Sequence, residues 1–179
     1  MNWFGGTFDP LKDHQSFIRA ATIFCRAYSQ VHFLLCGYGI SWSNEALSGW
    51  IDAAGIRQNC HLLGRRAEIP RLMSAFNVNT LSSIGEAFPN VLGEAMACGT
   101  LCVTTDIGDA AEIIGDTGIV VPSSEPQALA RGWDQIIGLT ALERVRLGKR
   151  ARGRIRSRYQ IQETAKQYKT LYLEVARIK

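Results

Sequence analysis

The feature that most constrains this chain is an alternation of two hydrophobic periods. Short β-like runs at 3–6, 31–36, 60–63, 78–81, 101–105 and 118–121 are separated by helical patterns, clearest at 14–28, 44–54, 69–76, 89–98 and 126–137. Strands that alternate with helices build βαβ units, and hence a parallel sheet covered on both faces. The fold class expected is α/β. After residue 121 the chain reads as helical to its end. The last segment, 161–179, sets Ile161, Ala165, Tyr168, Tyr172, Val175 and Ile178 on one stripe, a long terminal helix that must dock somewhere.

A length of 179 residues suits one domain with a real core, and 46% hydrophobic with 20% charged residues is the balance of a soluble globular protein. No apolar run approaches the roughly 18 residues of a membrane span. The opening MNWFGGTFDP has neither the charged start nor the apolar stretch of a signal peptide. Met1 reads as a cloned start, and the chain as a domain excised from a longer protein. Five cysteines without a CxxC pair read as buried thiols in a reducing, cytoplasmic setting. His14, His32 and His61 show no metal-ligand spacing.

Charge is uneven. The window 143–158 holds eight basic residues against one acid, a net +7 that exceeds the +4 of the whole chain. A solvated helix face is one reading. The other is an anionic partner, for which a lipid surface fits better than nucleic acid, since only Tyr159 is at hand for base stacking.

Parallel sheets bind ligands at the carboxyl ends of their strands, near the point where strand order reverses. The loops to search are 5–13, 37–43, 64–66, 82–90 and 106–112. In GEAFPNVLGEAMACG, residues 85–99, Pro89 suits a first helical turn and Gly99 the position just past a helix end. Glu86 then precedes a helix of about ten residues, roughly 15 Å long, and Glu94 lies inside it. The first N–H groups of that helix, near Asn90, Val91 and Leu92, offer a site for phosphate. Spacing alone equally allows an acid complementing the helix dipole and a solvent-facing glutamate. In the 5–14 loop Lys12 stands at the start of a helix, against the dipole, which invites an anion between them, although an exposed lysine is as good a reading. At CGYG, 36–39, a GxGxxG fingerprint would need glycine where Trp42 stands, and no GxxxxGK[ST], GxSxG or DxD motif occurs. Phosphate charge would fall to Lys12 and the helix N-terminus rather than to a metal.

Together these loops resemble the C-terminal, donor-binding domain of retaining glycosyltransferases of the GT-B fold, the group 1 family. The likeness covers nearly the whole chain in order. It runs through FGGTFDPLKDHQSFIRAA, LLCGYG, HLLGRRAEIPRLMSAFNV, SSIGEAFPNVLGEAMACG, TTDIGDAAEII and TGIVV. The resemblance implies a Rossmann-like domain over 1–160 that binds a nucleotide-sugar donor. It implies that the terminal helix 161–179 packs toward an N-terminal acceptor domain absent from this sequence.

It also implies roles. Lys12 would contact the donor diphosphate, Glu86 the hydroxyls of the transferred sugar, and Glu94 the ribose. Lys12 and Glu86 would be the catalytic pair. The backbone of Asn90, Val91 and Leu92 would cap the distal phosphate, and 64–66 with Ile69 would border the base. The implied donor site takes in Gly6, Thr7, Gly37, Arg65, Phe88 and Pro89 as well. Thr7 stands where the family often has arginine, so Arg65 is a candidate replacement. Asp109 stands where a glycine is common. The chemistry implied is sugar transfer with retention from a nucleoside diphosphate sugar, UDP first by family frequency, without cofactor or metal. The acceptor would be a glycan or lipid-linked sugar of bacterial surface polysaccharide synthesis, handled at the inner face of the membrane. A non-catalytic nucleotide-sugar module and an epimerase of related fold are the competing readings.

Overall fold

The computed structural model describes residues 2–177, the first four through their backbone only. Met1 and Ile178, which entered the sequence reading, lie outside the described residues. Six strands make one parallel sheet: β1 (Asn2–Gly5), β2 (Phe33–Cys36), β3 (Cys60–Leu62), β4 (Val78–Leu81), β5 (Leu101–Thr105) and β6 (Ile119–Val121). Their order is β3-β2-β1-β4-β5-β6, so strand order reverses between β1 and β4.

The helices are α1 (His14–Ala27), α2 (Glu45–Ala53), α3 (Ile69–Ala75), α4 (Asn90–Ala97), α5 (Ala110–Ile114), α6 (Pro126–Gly138), α7 (Ala141–Arg158) and α8 (Ile161–Arg177). One face of the sheet carries α1, α2 and α6 over a core that includes Phe17, Phe24, Phe33 and Trp133. The other carries α3, α4, α5 and α7 over Leu81, Leu92, Met96 and Ile113. The runs at 78–81 and 101–105 are buried along their whole length, as strands covered on both faces must be.

The α5 helix overlaps the end of the loop expected at 106–112 and runs two residues past it. Five residues are too few to show a period, and Asp106, Gly108 and Asp109 read as loop punctuation. β2 begins at Phe33 rather than at 31, where the Val31 carbonyl is instead held by the Asn59 side chain at 2.7 Å. α4 is eight residues, not ten: Pro89 is its N-cap rather than its first turn, and Gly99 closes it at φ +78°.

The basic window becomes α7, opened by a capping box in which Thr140 and Glu143 bond each other's backbone N–H. Three of its eight basic side chains are used within the fold. Arg144 donates to the carbonyls of Ile137 and Leu139, and Arg154 Nε to that of Ile113 at 2.9 Å. These lie at the C-terminal ends of α6 and α5, where cations are favoured. Arg150 pairs with Asp116. No described residue of α8 is buried. No helix among the described residues is long and apolar enough to cross a membrane.

Candidate functional site

The loops after β1 and β4 meet where strand order reverses, and their main chains are stitched together. Ile84 N–H donates to the Leu11 carbonyl at 2.8 Å, and Ser82 Oγ to that of Lys12 at 2.9 Å. The β1 loop is shaped by two aspartates. Asp9 Oδ1 accepts from Leu11 N–H at 2.8 Å and caps the 3-10 turn Pro10–Lys12. Asp13, at φ 46°, caps α1 by accepting from Ser16 N–H at 3.1 Å. Aspartate tolerates that left-handed conformation better than most residues. Lys12, between the two caps, is aimed into the gap between the loops.

A neighbouring contact depends on glycine. Gly37 has φ +152°, and a Cβ there would lie 1.6 Å from the Gly6 carbonyl oxygen, so no other residue fits the close approach of the β1 and β2 loops. On the far side Gly108 plays the same part. Its Cβ would lie 2.2 Å from the Glu86 carbonyl oxygen, and Asp109 N–H donates to the Ala87 carbonyl at 3.0 Å. Asp109, the residue out of pattern, is thus the N-cap position of α5 and a main-chain anchor of the Glu86 loop.

These loops enclose an open cleft of about 590 Å³, within the roughly 300–1,000 Å³ range of small-molecule sites. Of the thirteen residues singled out from the sequence, twelve line it: Gly6, Thr7, Lys12, Gly37, Arg65, Ile69, Glu86, Phe88, Pro89, Asn90, Val91 and Glu94. Leu92 does not. Its side chain is fully buried, and its N–H is taken by the Pro89 carbonyl at 3.0 Å. The helix start presented to the cleft is therefore Asn90 and Val91.

Cys36, Tyr38, Arg66 and Met73 also line the cleft. Arg66 belongs to the 64–66 turn expected to border the base; for two others a signal was present, since Tyr38 sits between two glycines and Met73 is one helical turn beyond Ile69. Cys36 looked like core. It is indeed 3% exposed, its thiol donates to the Gly64 carbonyl at 2.9 Å, and burial raises its pKa, which favours the protonated thiol.

Electrostatically the cleft carries one more cation than anion. Lys12, Arg65 and Arg66 line it together with Glu86 and Glu94. The Lys12 ammonium and Glu86 Oε1 form an ion pair, with side chains 25% and 18% exposed. Ser83 Oγ also donates to Glu86 Oε1, at 3.1 Å, and the Ser83 carbonyl is held by Thr105 Oγ1 at 2.6 Å. Glu86 is thus positioned from β5 through Ser83. No group of three or more metal-ligating side chains occurs among the described residues. The site can place cations and helix N–H groups beside an anion, with carboxylates on either side to accept hydroxyl hydrogen bonds.

The fold is thus a doubly wound α/β domain with its cleft at the switch point, the architecture of a nucleotide-type ligand site. The family model for group 1 glycosyl transferases matches residues 3–138, and the chain belongs to that family. It is 34% identical over 119 residues to N-acetyl-alpha-D-glucosaminyl L-malate synthase of Bacillus anthracis, covering 64% of this chain and 30% of that protein. It is 30% identical to D-inositol 3-phosphate glycosyltransferase of Corynebacterium urealyticum, covering 94% of this chain and 42% of that one. Among solved structures, the Anabaena protein HepE in complex with UDP superposes with a TM-score of 0.83 at 26% identity, over 94% of this chain and 48% of that one. The C-terminal domain of a group 1 glycosyl transferase from Francisella tularensis matches at TM-score 0.77 and 23% identity. It covers 89% of this chain and 86% of that one. The chain thus spans less than half of the full-length relatives and corresponds in fold to the C-terminal domain of GT-B glycosyltransferases.

Proposed function

We propose that this chain is the donor-binding domain of a retaining glycosyltransferase that uses a nucleoside diphosphate sugar, a UDP-sugar first. The observation that carries the reading is the switch-point cleft, where Lys12 and the start of α4 converge between Glu86 and Glu94. The diphosphate lies between Lys12 and the N–H groups of Asn90 and Val91, with Arg65 and Arg66 supplying the second cation that Thr7 cannot. Glu86 takes sugar hydroxyls and Glu94 the ribose. Ile69 and the 64–66 turn border the base. Charge growing on the leaving diphosphate is stabilised by these donors, with no metal or other cofactor. The departing phosphate takes the acceptor's proton.

The acceptor, a glycan or lipid-linked sugar of surface polysaccharide synthesis, is held by a domain outside these 179 residues. The α8 helix packs toward it, and these residues alone bind donor without turning it over. The outward side of α7 supports a second contact. Leu142 and Val145, 58% and 54% exposed, lie among Arg146, Lys149, Arg152 and Arg156, which have no ion pair among the described residues. Apolar side chains set among cations suit the inner face of an anionic membrane. Salt-sensitive binding to anionic but not neutral liposomes is the outcome expected, and binding absent or indifferent to salt rejects it.

Calorimetric titration with a UDP-sugar tests the main reading. Lys12→Ala and Glu94→Ala should each weaken binding by about 10- to 150-fold, the loss of one hydrogen bond to a charged group. Unchanged affinity in both variants would sink the site assignment.

A further inference from the structure

The Lys12–Glu86 ion pair has a consequence for which ligands the cleft accepts. We propose that Glu86 is a selectivity gate: by holding Lys12 in the empty cleft, it makes the site prefer a glycosylated diphosphate over the bare diphosphate that transfer leaves behind. This rests on the nucleoside-diphosphate-sugar reading above.

Lys12 is engaged by Glu86, and both side chains are only about a fifth to a quarter exposed, so water screens the pair incompletely. A diphosphate approaching Lys12 must share it with, or take it from, a carboxylate of its own sign. That carboxylate cannot simply swing away. Ser83 Oγ holds the same Oε1 at 3.1 Å, Thr105 holds Ser83, and the main chain behind Glu86 is fixed by the close approach of Gly108.

Two ligands meet this carboxylate differently. A glycosylated diphosphate brings hydroxyl donors, which replace the contact Glu86 loses when Lys12 turns to the phosphates. Its distal phosphate is bonded on both sides, by an ester to the sugar and an anhydride to the other phosphate, and carries one charge. The bare diphosphate brings no donor for Glu86, and its terminal phosphate carries close to two charges at neutral pH. It therefore sets more negative charge beside an uncompensated carboxylate, which raises its free energy in the site. Lys12 serves both ligands, whereas Glu86 separates them.

Titrations of the full chain with inorganic pyrophosphate, UDP and a UDP-sugar test this, on the unaltered protein and on Glu86→Gln. The variant keeps the side-chain shape and a hydrogen-bond acceptor but removes the charge. Pyrophosphate and UDP should bind Glu86→Gln about fivefold more tightly, the factor for one partly screened ionic contact. The UDP-sugar should gain less or lose affinity, so the ratio of the two nucleotide affinities falls. Glu86→Ala should repeat the gain for pyrophosphate and lose more of the sugar donor. Glu86 lies in a loop outside both cores, so thermal melting should match the unaltered chain. Pyrophosphate and UDP affinities unchanged or weakened in both variants, with the UDP-sugar still bound, overturn the gate and leave donor binding standing. No binding of UDP or UDP-sugar to any of the proteins overturns the donor reading and the gate with it.

Discussion

Against one face of the sheet Trp133 of α6 is enclosed by the rings of Phe17, Phe24 and Phe33, with centroids 5.4–5.5 Å away and its indole N–H donating to Thr80 Oγ1 at 2.9 Å. Against the other face α4 and α7 approach so closely that a Cβ on Gly148 would lie 2.3 Å from the Gly99 carbonyl oxygen. The first face is centred on aromatic rings and the second on aliphatic side chains such as Leu81, Leu92, Met96 and Ile113, with glycine where α4 and α7 meet. The cleft opens beside the second, where Asn90, Val91 and Glu94 of α4 line it. On the donor-binding reading proposed above, the aromatic face serves stability alone and the other face both stability and recognition.

Removing the aromatic centre is the severest way to test that division. Trp133→Ala should cost about 3–5 kcal/mol of stability, read by urea unfolding. The donor affinity of the molecules that remain folded should be unchanged. A drop in that affinity would show that the two faces are coupled through β4 and β5.

The pH dependence of stability separates the faces next. His14 lies on the aromatic face, 3% exposed, with its ring 5.1 Å from that of Phe8. Burial above all, opposed by Asp13 and Asp9 and helped by Lys12, lowers its pKa from 6.5 to about 4. The folded chain therefore refuses a proton that the unfolded chain accepts. Stability is complete above about pH 6.5 and is lost as pH falls toward 4, by roughly 3 kcal/mol at about 1.4 kcal/mol per unit. His14→Phe should flatten that part of the unfolding profile. An equally steep profile in the variant would place the acid sensitivity elsewhere.

The close helix pair on the other face is more local. Gly148→Ala should cost about 1–3 kcal/mol as α7 is forced off α4. Here donor affinity should fall too, since α4 carries Asn90, Val91 and Glu94. Stability lost without any change in affinity would show that the α4 N-terminus is held by Pro89 and the loops rather than by α7.

The sequence exposes the two faces unequally. The sheet was legible from strand runs bounded by turn residues, and 78–81 and 101–105 were placed without error because a strand buried on both faces is apolar, or small and uncharged, throughout. The cleft was legible because its residues lie in loops at strand ends, in motifs whose order matches the family. What escaped was set by tertiary contact. α5 is too short for a period, and the N–H of Leu92 is withdrawn by a carbonyl three residues earlier. Arg144, Arg150 and Arg154 look like solvent charge until α5, α6 and the loop at Asp116 are seen beside them. A contact between residues 12 and 86 leaves no local pattern in either segment.

The finest test concerns one atom on the face that carries α4 and α7. Asn79 on β4 is fully buried, its Nδ2 reaches only the Cys102 sulfur at 3.8 Å, and its Oδ1 has no hydrogen-bond partner among the described residues. Burying an amide without compensation costs about 1–3 kcal/mol in proteins. Leucine is close to asparagine in shape and has nothing to satisfy. Cys102 can spare the contact, since its thiol also points to the Thr100 carbonyl at 3.7 Å and burial holds its pKa up at about 12. Asn79→Leu should therefore raise stability by about 1 kcal/mol in urea unfolding and leave the cleft untouched, whereas the same face loses stability when Gly148 is enlarged. A loss instead of a gain would mean that Oδ1 is satisfied by a trapped water, and that this face is held by polar contacts where the aromatic face is held by packing.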